Sequence, residues 1–277
     1  MILKIIKLPI LIILTYFEVR KSPVPKCYYT WLDLFKFKFK LLLKNIYSNR
    51  NTELTMNFKD IKLYSPNLHT MEYLFDEIFV SGEYYQTKLH GNIKNIFDCG
   101  ANIGFATIFF KILFPNANIN CFEPNPYTFH FLEKNMKING IKNVQLHQIA
   151  LSNEEGKVDL FFSEDVSVTA SMDSGRSNFN KNVSVDTKKL SSYITQIKPE
   201  LLKIDVEGAE HLILDDLLKT STLSKPTYYL LEYHNHGDIQ LFSKFIEKFA
   251  AGGYKYQLQA RINRKFNFQD HLLLLWK

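Results

Sequence analysis

From residue 93 onward, short apolar runs alternate with longer stretches whose apolar residues recur at helical spacing. Ile93–Asp98 (IKNIFD) predicts a buried strand, and Phe105–Phe114 (FATIFFKILF) a buried helix stopped by Pro115. Ala117–Phe122 is the next strand. Thr128–Asn139 (TFHFLEKNMKIN) is the next helix, closed by Gly140 where a left-handed residue commonly ends helices. Val144–Leu151 predicts a third strand, and Val158–Thr187 reads as β-rich insertion and loops. The rhythm resumes with the strand Leu201–Val206 (LLKIDV), the helix Ala209–Leu218, the strand Thr227–Tyr233 (TYYLLEY) and the helix Asp238–Ala250. Gly252-Gly253 then breaks the chain before two strand candidates, Tyr254–Ala260 and His271–Trp276.

Strands separated by helices build a mostly parallel sheet covered on both faces. The last two strands suggest an antiparallel hairpin at one edge of a Rossmann-like α/β fold. Upstream, Glu53–Tyr64 predicts a hairpin turning at Lys59-Asp60, and Asn67–Tyr85 is mainly helical. The expected organisation is an arm (1–50), a hairpin and helical lead-in (51–90) and the α/β domain (91–277).

The arm is unlike the rest. Its uncharged run Leu8–Phe17 is ten residues long, well short of the roughly 20 needed to cross a bilayer. It resembles the start of a signal peptide, but Ala101 is the first alanine of the chain, so no A-x-A cleavage site follows. A signal-anchor that uses Lys4 and Lys7 at the membrane surface stays open as an alternative. FKFKFK at Phe35–Lys40 alternates aromatic and cationic residues at strand spacing. The preferred reading is an edge strand whose lysines block edge-to-edge pairing. The sharper one is peripheral contact of residues 1–44 with an anionic membrane.

The net charge of +6 over 277 residues changes meaning once divided. Residues 1–50 hold ten Lys/Arg against two acids, whereas the remainder holds 24 basic and 26 acidic groups. A nucleic-acid groove in the body is therefore disfavoured. Three scattered cysteines (Cys27, Cys99, Cys121) fit neither a disulfide framework nor a zinc site, and a reduced, cytoplasmic environment is the default. Cys99 and Cys121 are expected as buried thiols on adjacent strands.

The candidate chemistry lies at strand ends. The first strand of the domain runs into Asp98-Cys99-Gly100-Ala101-Asn102-Ile103-Gly104 and then a helix, an arrangement that offers backbone N–H groups to an anionic group. Glu123 ends the second strand, where a carboxylate suits a ribose diol. The turn spacing is G-x-x-x-G rather than the dinucleotide G-x-G-x-x-G, and Asp98 would repel a pyrophosphate. S-Adenosyl-L-methionine, with a sulfonium, an ammonium and a carboxylate, complements acids beside a helix N-terminus better. Asp205, Glu232 and His234 end later strands, and Glu207 and Glu210 follow Asp205. Ligands of open α/β sheets bind outside such ends. The plainer alternative is that Asp205 or Glu207 caps the following helix.

The segments FDCGANIGFAT, CFEPNPYTFHFLEKNMKING, VQLHQIALSNEEGKVDLF and LLKIDVEGAEHLIL with LLEYH resemble the FkbM family of S-adenosylmethionine-dependent methyltransferases over about Asn95–Tyr233. The resemblance implies a class I methyltransferase fold and O-methylation of a small-molecule or glycan acceptor. It assigns Asp98, Gly100, Asn102 and Gly104 to the methionine part of the cofactor, Glu123 to ribose, and Pro124 and Asn125 to the adenine side. Ile149-Ala150-Leu151-Ser152 brings no acid to meet the adenine amino group, leaving that to backbone groups near Ala150.

His234 or Asp205 is the expected general base, and Glu207, Glu210 and Glu232 are expected to touch the acceptor or to hold residues that do. An alternative makes Asp205, Glu207, Glu210, Glu232 and His234 a source of Mg²⁺ ligands. The metal-free reading is preferred, because Glu207 and Glu210 also complement the dipole of the helix they open. A catalytically silent binding protein and, less favoured, a nicotinamide oxidoreductase are the rival functions. Acceptor specificity is expected in the patternless loop Ser163–Lys181 and in the arm.

Overall fold

The computed structural model describes residues 8–47, 51–89, 92–163, 170–172, 180–234, 239–260 and 270–277. Two helices open it, α1 (Leu8–Val19) and α2 (Trp31–Tyr47). The segment FKFKFK therefore lies inside a helix, which corrects the edge-strand expectation. The cause lies outside the alternating hexapeptide. Leu34, Phe37, Lys38 and Leu41 recur at helical spacing and are the buried residues of α2. Upstream, Thr30 and Asp33 form a capping box: the Thr30 N–H donates to Asp33 Oδ2 at 2.8 Å, and the Asp33 N–H donates to Thr30 Oγ1 at 3.3 Å. Phe37 stacks on Phe75 with centroids 4.0 Å apart, and the Lys38 ammonium bridges Glu18 at 2.8 Å and Asp76 at 2.7 Å. The arm thus joins the same apolar core as the body. Among the described residues no helix is long and apolar enough to cross a membrane.

The hairpin β1 (Leu54–Phe58) and β2 (Ile61–Ser65) forms as expected, with Lys59 left-handed in its turn. Helix α3 (Leu68–Phe75) is capped by Asn67, whose Oδ1 accepts from the Thr70 N–H, and widens into a π-helical turn over Asp76–Val80.

The body follows the alternation read from the sequence. Its elements are β3 (Asn95–Cys99), α4 (Phe105–Leu113), β4 (Asn118–Phe122), α5 (Pro126–Ile138) and β5 (Val144–His147). The expected third strand Val144–Leu151 is divided. Ala150–Leu151 forms β6, which leaves the main sheet to pair with β9 (Lys181–Lys188). With β7 (Gly156–Phe162) and β8 (Ala170–Ser171) these make a separate four-stranded sheet, the β-rich insertion that was expected. Helix α6 (Leu190–Ile197), unforeseen, follows. Then come β10 (Leu201–Ile204), α7 (Glu210–Lys219), β11 (Tyr228–His234), α8 (Ile239–Ala251), β12 (Lys255–Ala260) and β13 (Asp270–Trp276).

The main sheet has seven strands in the order β12-β13-β11-β10-β3-β4-β5. β11, β10, β3, β4 and β5 are parallel, and β13 is antiparallel to both β11 and β12. This is the expected Rossmann-like α/β architecture, a mostly parallel sheet with an antiparallel C-terminal edge. Ile96, Ile119, Leu201 and Leu230 face one core layer with Phe105, Phe109 and Phe131. Phe97, Phe122, Leu202 and Tyr229 face the other, with Ile213, Leu217 and Phe249. Strand order reverses between β3 and β10, which puts a binding crevice at their carboxyl ends.

Candidate active site

At that switch point the turn after β3 presses against the end of β10. Gly100 has φ +80°, and a Cβ built there would lie 1.7 Å from the Asp205 carbonyl oxygen. Only glycine permits this approach. Gly104 (φ +88°) is required for a different reason: a Cβ would meet Leu132 at 2.7 Å, so it lets α4 pack on α5. Between them Asn102 is left-handed (φ 49°), and its N–H donates to Glu123 Oε2 at 2.8 Å. Glu123 also accepts from the Asn125 N–H at 3.0 Å and the Thr128 hydroxyl at 2.8 Å. Burial pushes its pKa up while these donors oppose the rise.

Beneath the turn lies a buried lysine that sequence reading passed over. Lys203, on β10, is in register with Asp98 on β3. Its ammonium is 3.3 Å from Asp98 Oδ1 and 3.3 Å from Asp205 Oδ2, and it donates to the Gly100 carbonyl at 2.5 Å. Burial disfavours its charge, but Asp205 and Asp98 outweigh burial and raise its pKa. Asp98 is fully buried and also accepts from the Thr107 hydroxyl at 2.6 Å. A cation inside the otherwise apolar LLKI strand was the available signal. Tyr84, which donates to Asp205 Oδ2 at 3.2 Å, comes from the lead-in and carried no such signal.

The other oxygen of Asp205 faces a cluster built by β11 and the start of α7. His234 Nδ1 is 2.8 Å from Glu210 Oε1, and the Gly208 N–H donates to the same oxygen at 3.0 Å. His234 Nε2 stands 3.6 Å from Glu207 Oε2, 3.7 Å from Asp205 Oδ1 and 3.9 Å from Glu232 Oε1. Burial opposes charge on the imidazole, yet Glu207 and Glu210 overcome it and lift its pKa well above the usual histidine value. Burial, with Asp205 and Glu83 nearby, raises Glu232 well above the usual carboxylate range. Asp205 is held low by Lys203 and His234 against its burial.

Two hollows meet here. The first spans about 650 Å³ of space open to solvent and combines Gly100, Asn102 and Glu123 with an apolar wall of Phe122, Ile149, Ala150, Leu160 and Met172. The second, about 510 Å³, is polar, with Tyr84, Lys203, Glu77 and Glu232. Gly100, Asn102, Asp205 and Glu207 line both.

Of the residues singled out from sequence, Gly100, Asn102, Glu123, Pro124, Ala150, Asp205 and Glu207 line the first hollow, and Glu232 lines the second. Asp98, Gly104, Asn125, Glu210 and His234 line neither and sit behind the walls. Asp98 acts on the turn through Lys203. Asn125 caps α5, accepting from the Tyr127 N–H at 3.0 Å. Cys99 and Cys121 are buried thiols on adjacent strands, as expected. Part of the loop Ser163–Lys181 lies outside the described residues.

Residues 98–256 match the sequence profile described as the methyltransferase FkbM domain. Methyltransferase 1 of Beauveria bassiana is 32% identical over 170 residues, covering 53% of this chain and 67% of that protein. The 2-O-methyltransferase NoeI of Sinorhizobium fredii is 26% identical over 155 residues, covering 50% of this chain and 62% of that protein. A solved FkbM methyltransferase from Methylobacillus flagellatus shares the fold, with a TM-score of 0.50 at 14% identity over 95% of this chain and 58% of that one.

Proposed function

The chain belongs to the FkbM methyltransferase family, and from that premise we propose that it transfers a methyl group from S-adenosyl-L-methionine to a hydroxyl of a small-molecule or glycan acceptor. The observation that carries this reading is the meeting of an apolar hollow and an acidic one at Gly100, Asn102, Asp205 and Glu207. The residues present fit the cofactor. Ile149, Ala150, Leu160 and Met172 offer a dry wall for a purine, and Glu123 stands where a ribose diol needs an acceptor. The N–H groups of the glycine turn are spent within the protein, on the Phe122 and Ala101 carbonyls and the Glu123 and Asn102 side chains, which corrects the expectation that they face an anionic group. The carboxylates of the shared wall suit the ammonium and sulfonium of the cofactor.

When bound, S-adenosyl-L-methionine supplies a methyl group on a positively charged sulfur with a neutral thioether to leave. The chain must then align the acceptor, exclude water and take up the hydroxyl proton. The second hollow receives the acceptor. Asp205, on the shared wall, accepts its hydroxyl hydrogen bond and takes the proton as the methyl group transfers, with the charged imidazole of His234 behind Asp205 holding that carboxylate in place. Lys203 and Tyr84 fix the Asp205 carboxylate so that only Oδ1 turns toward that work. The name of the relative NoeI, a 2-O-methyltransferase, supports oxygen as the acceptor atom.

Isothermal titration with S-adenosylhomocysteine tests the reading: the folded chain is expected to bind it one to one and to ignore NADH. A cooperatively melting protein that takes up no heat with S-adenosylhomocysteine overturns it and favours the silent binding protein.

A further inference from the structure

We propose that Asp205, Glu207 and His234 bind a divalent first-row transition-metal ion, of the Mn²⁺ or Zn²⁺ type, at the wall where the two hollows meet. The three residues each offer one ligand atom, and these atoms lie within 4.8 Å of one another. Two of the approaches, 3.6 Å and 3.7 Å from His234 Nε2, are too long for hydrogen bonds. They are the separations expected of atoms that each sit about 2.0–2.2 Å from one ion between them.

The imidazole is the independent observation. His234 is only 5% exposed, and its single hydrogen bond among the described residues is from Nδ1 to Glu210. That bond holds the ring at Nδ1 and turns Nε2 toward Asp205 and Glu207, where a bound ion takes the place of the Nε2 proton. A ligating histidine tied at its other nitrogen to a carboxylate is the usual support of a metal centre. Glu210 is itself anchored by the Gly208 N–H. The position that carries Glu207 is also built for it: Glu207 is left-handed (φ 55°), a conformation uncommon outside glycine and asparagine, which turns the chain sharply after β10.

Charge balance points the same way. Lys203 is committed to Asp98, the Gly100 carbonyl and the far oxygen of Asp205. Asp205, Glu207, Glu210 and Glu232 stand 2.8–3.9 Å from the nitrogens of His234, an acid-rich lining that a divalent cation complements. One nitrogen and two carboxylates suit a borderline first-row ion better than Ca²⁺, which prefers an all-oxygen shell. Three protein ligands leave positions open for water or an acceptor oxygen.

This inference rests on the methyl-transfer reading for what the ion would do, namely polarise the acceptor hydroxyl. Its existence does not depend on that reading. In the loaded protein His234 and Asp205 act as ligands, and the ion takes over activation of the hydroxyl.

The test is an electron paramagnetic resonance titration of Mn²⁺ into the full chain after treatment with a chelator, run beside calorimetry with S-adenosylhomocysteine. Loss of the free-ion sextet at one Mn²⁺ per chain, reversed by Zn²⁺ but not by Ca²⁺, is the expected result. Asp205→Asn and Glu207→Gln are each expected to weaken Mn²⁺ binding at least about tenfold, and Glu210→Gln about 10–100-fold. An undiminished sextet at millimolar Mn²⁺, in protein that still binds S-adenosylhomocysteine, overturns the site. Mn²⁺ affinity in Asp205→Asn and Glu207→Gln equal to that of the unsubstituted protein overturns it too. Mn²⁺ binding without S-adenosylhomocysteine binding leaves the metal site standing and removes the methyl-donor reading instead.

Discussion

Two strand-to-helix turns face each other across the switch point, and they are built alike but balanced differently. The turn after β3 carries Asp98, left-handed Asn102 and left-handed Gly104; the turn after β10 carries Asp205, left-handed Glu207 and left-handed Gly208. At the first, and at the neighbouring end of β4, the carboxylates are answered from within the protein. Asp98 has Lys203 and the Thr107 hydroxyl, and Glu123 has two backbone N–H groups and a hydroxyl. In the second, Asp205, Glu207, Glu210 and Glu232 crowd round one imidazole. The first turn is a scaffold whose polar groups hold its own shape. The second gathers four acids around one buried histidine, an arrangement that fits a site for a cation or a proton.

The contrast is broken most severely by Gly100→Ala. A Cβ 1.7 Å from the Asp205 carbonyl oxygen, in a left-handed position, forces the two turns apart. A loss of about 3 kcal/mol or more in chemical denaturation is expected, with cofactor binding gone. Next comes Lys203→Met, which strips the shared cation and leaves Asp98 buried and unpaired. The cost is about 3–5 kcal/mol. Asp98→Asn in the same chain is expected to restore part of that stability without restoring turnover, a coupling that a double-mutant cycle measures.

Glu207→Gln sharpens the comparison from the other side. It removes like charge from the second turn, so the melting curve is expected to move by no more than about 0.5 kcal/mol. Turnover is expected to fall about 10²-fold or more, measured as methyl transfer. The smallest effect is chemical. Burial pushes the thiols of Cys99 and Cys121 up, whereas Cys27 is exposed. A thiol reagent is therefore expected to label one cysteine in the native protein and three after unfolding.

The sequence made the parallel sheet legible because its buried strands are short apolar runs bounded by turn residues, and Gly100, Asn102, Glu123, Asp205 and Glu207 were legible because they end those runs. What escaped it were effects of register and distance. Lys203 reads as an interruption of LLKI until β10 is laid beside β3 and its ammonium meets Asp98. Asp98 looked like a ligand-facing acid for the same reason. FKFKFK misled because alternation is visible over six residues, whereas the competing helical spacing needs Leu34 and Leu41 at its flanks. Tyr84 reaches Asp205 across 121 positions, a contact that no local pattern announces. Val144–Leu151 is continuous in hydrophobicity, and only pairing with β9 pulls Ala150–Leu151 away.

β13 carries a practical consequence. It lies between β11 and β12 in the sheet, although the family profile stops at residue 256. An expression clone trimmed to the matched segment would strip the neighbour of Tyr228–His234 along its whole length. The strand that bears Glu232 and His234 would become a bare sheet margin, open to association with other copies. Shortening the chain to its recognisable part is expected to yield sticky, inactive material, so residues 257–277 are to be kept whenever the protein is produced for assay.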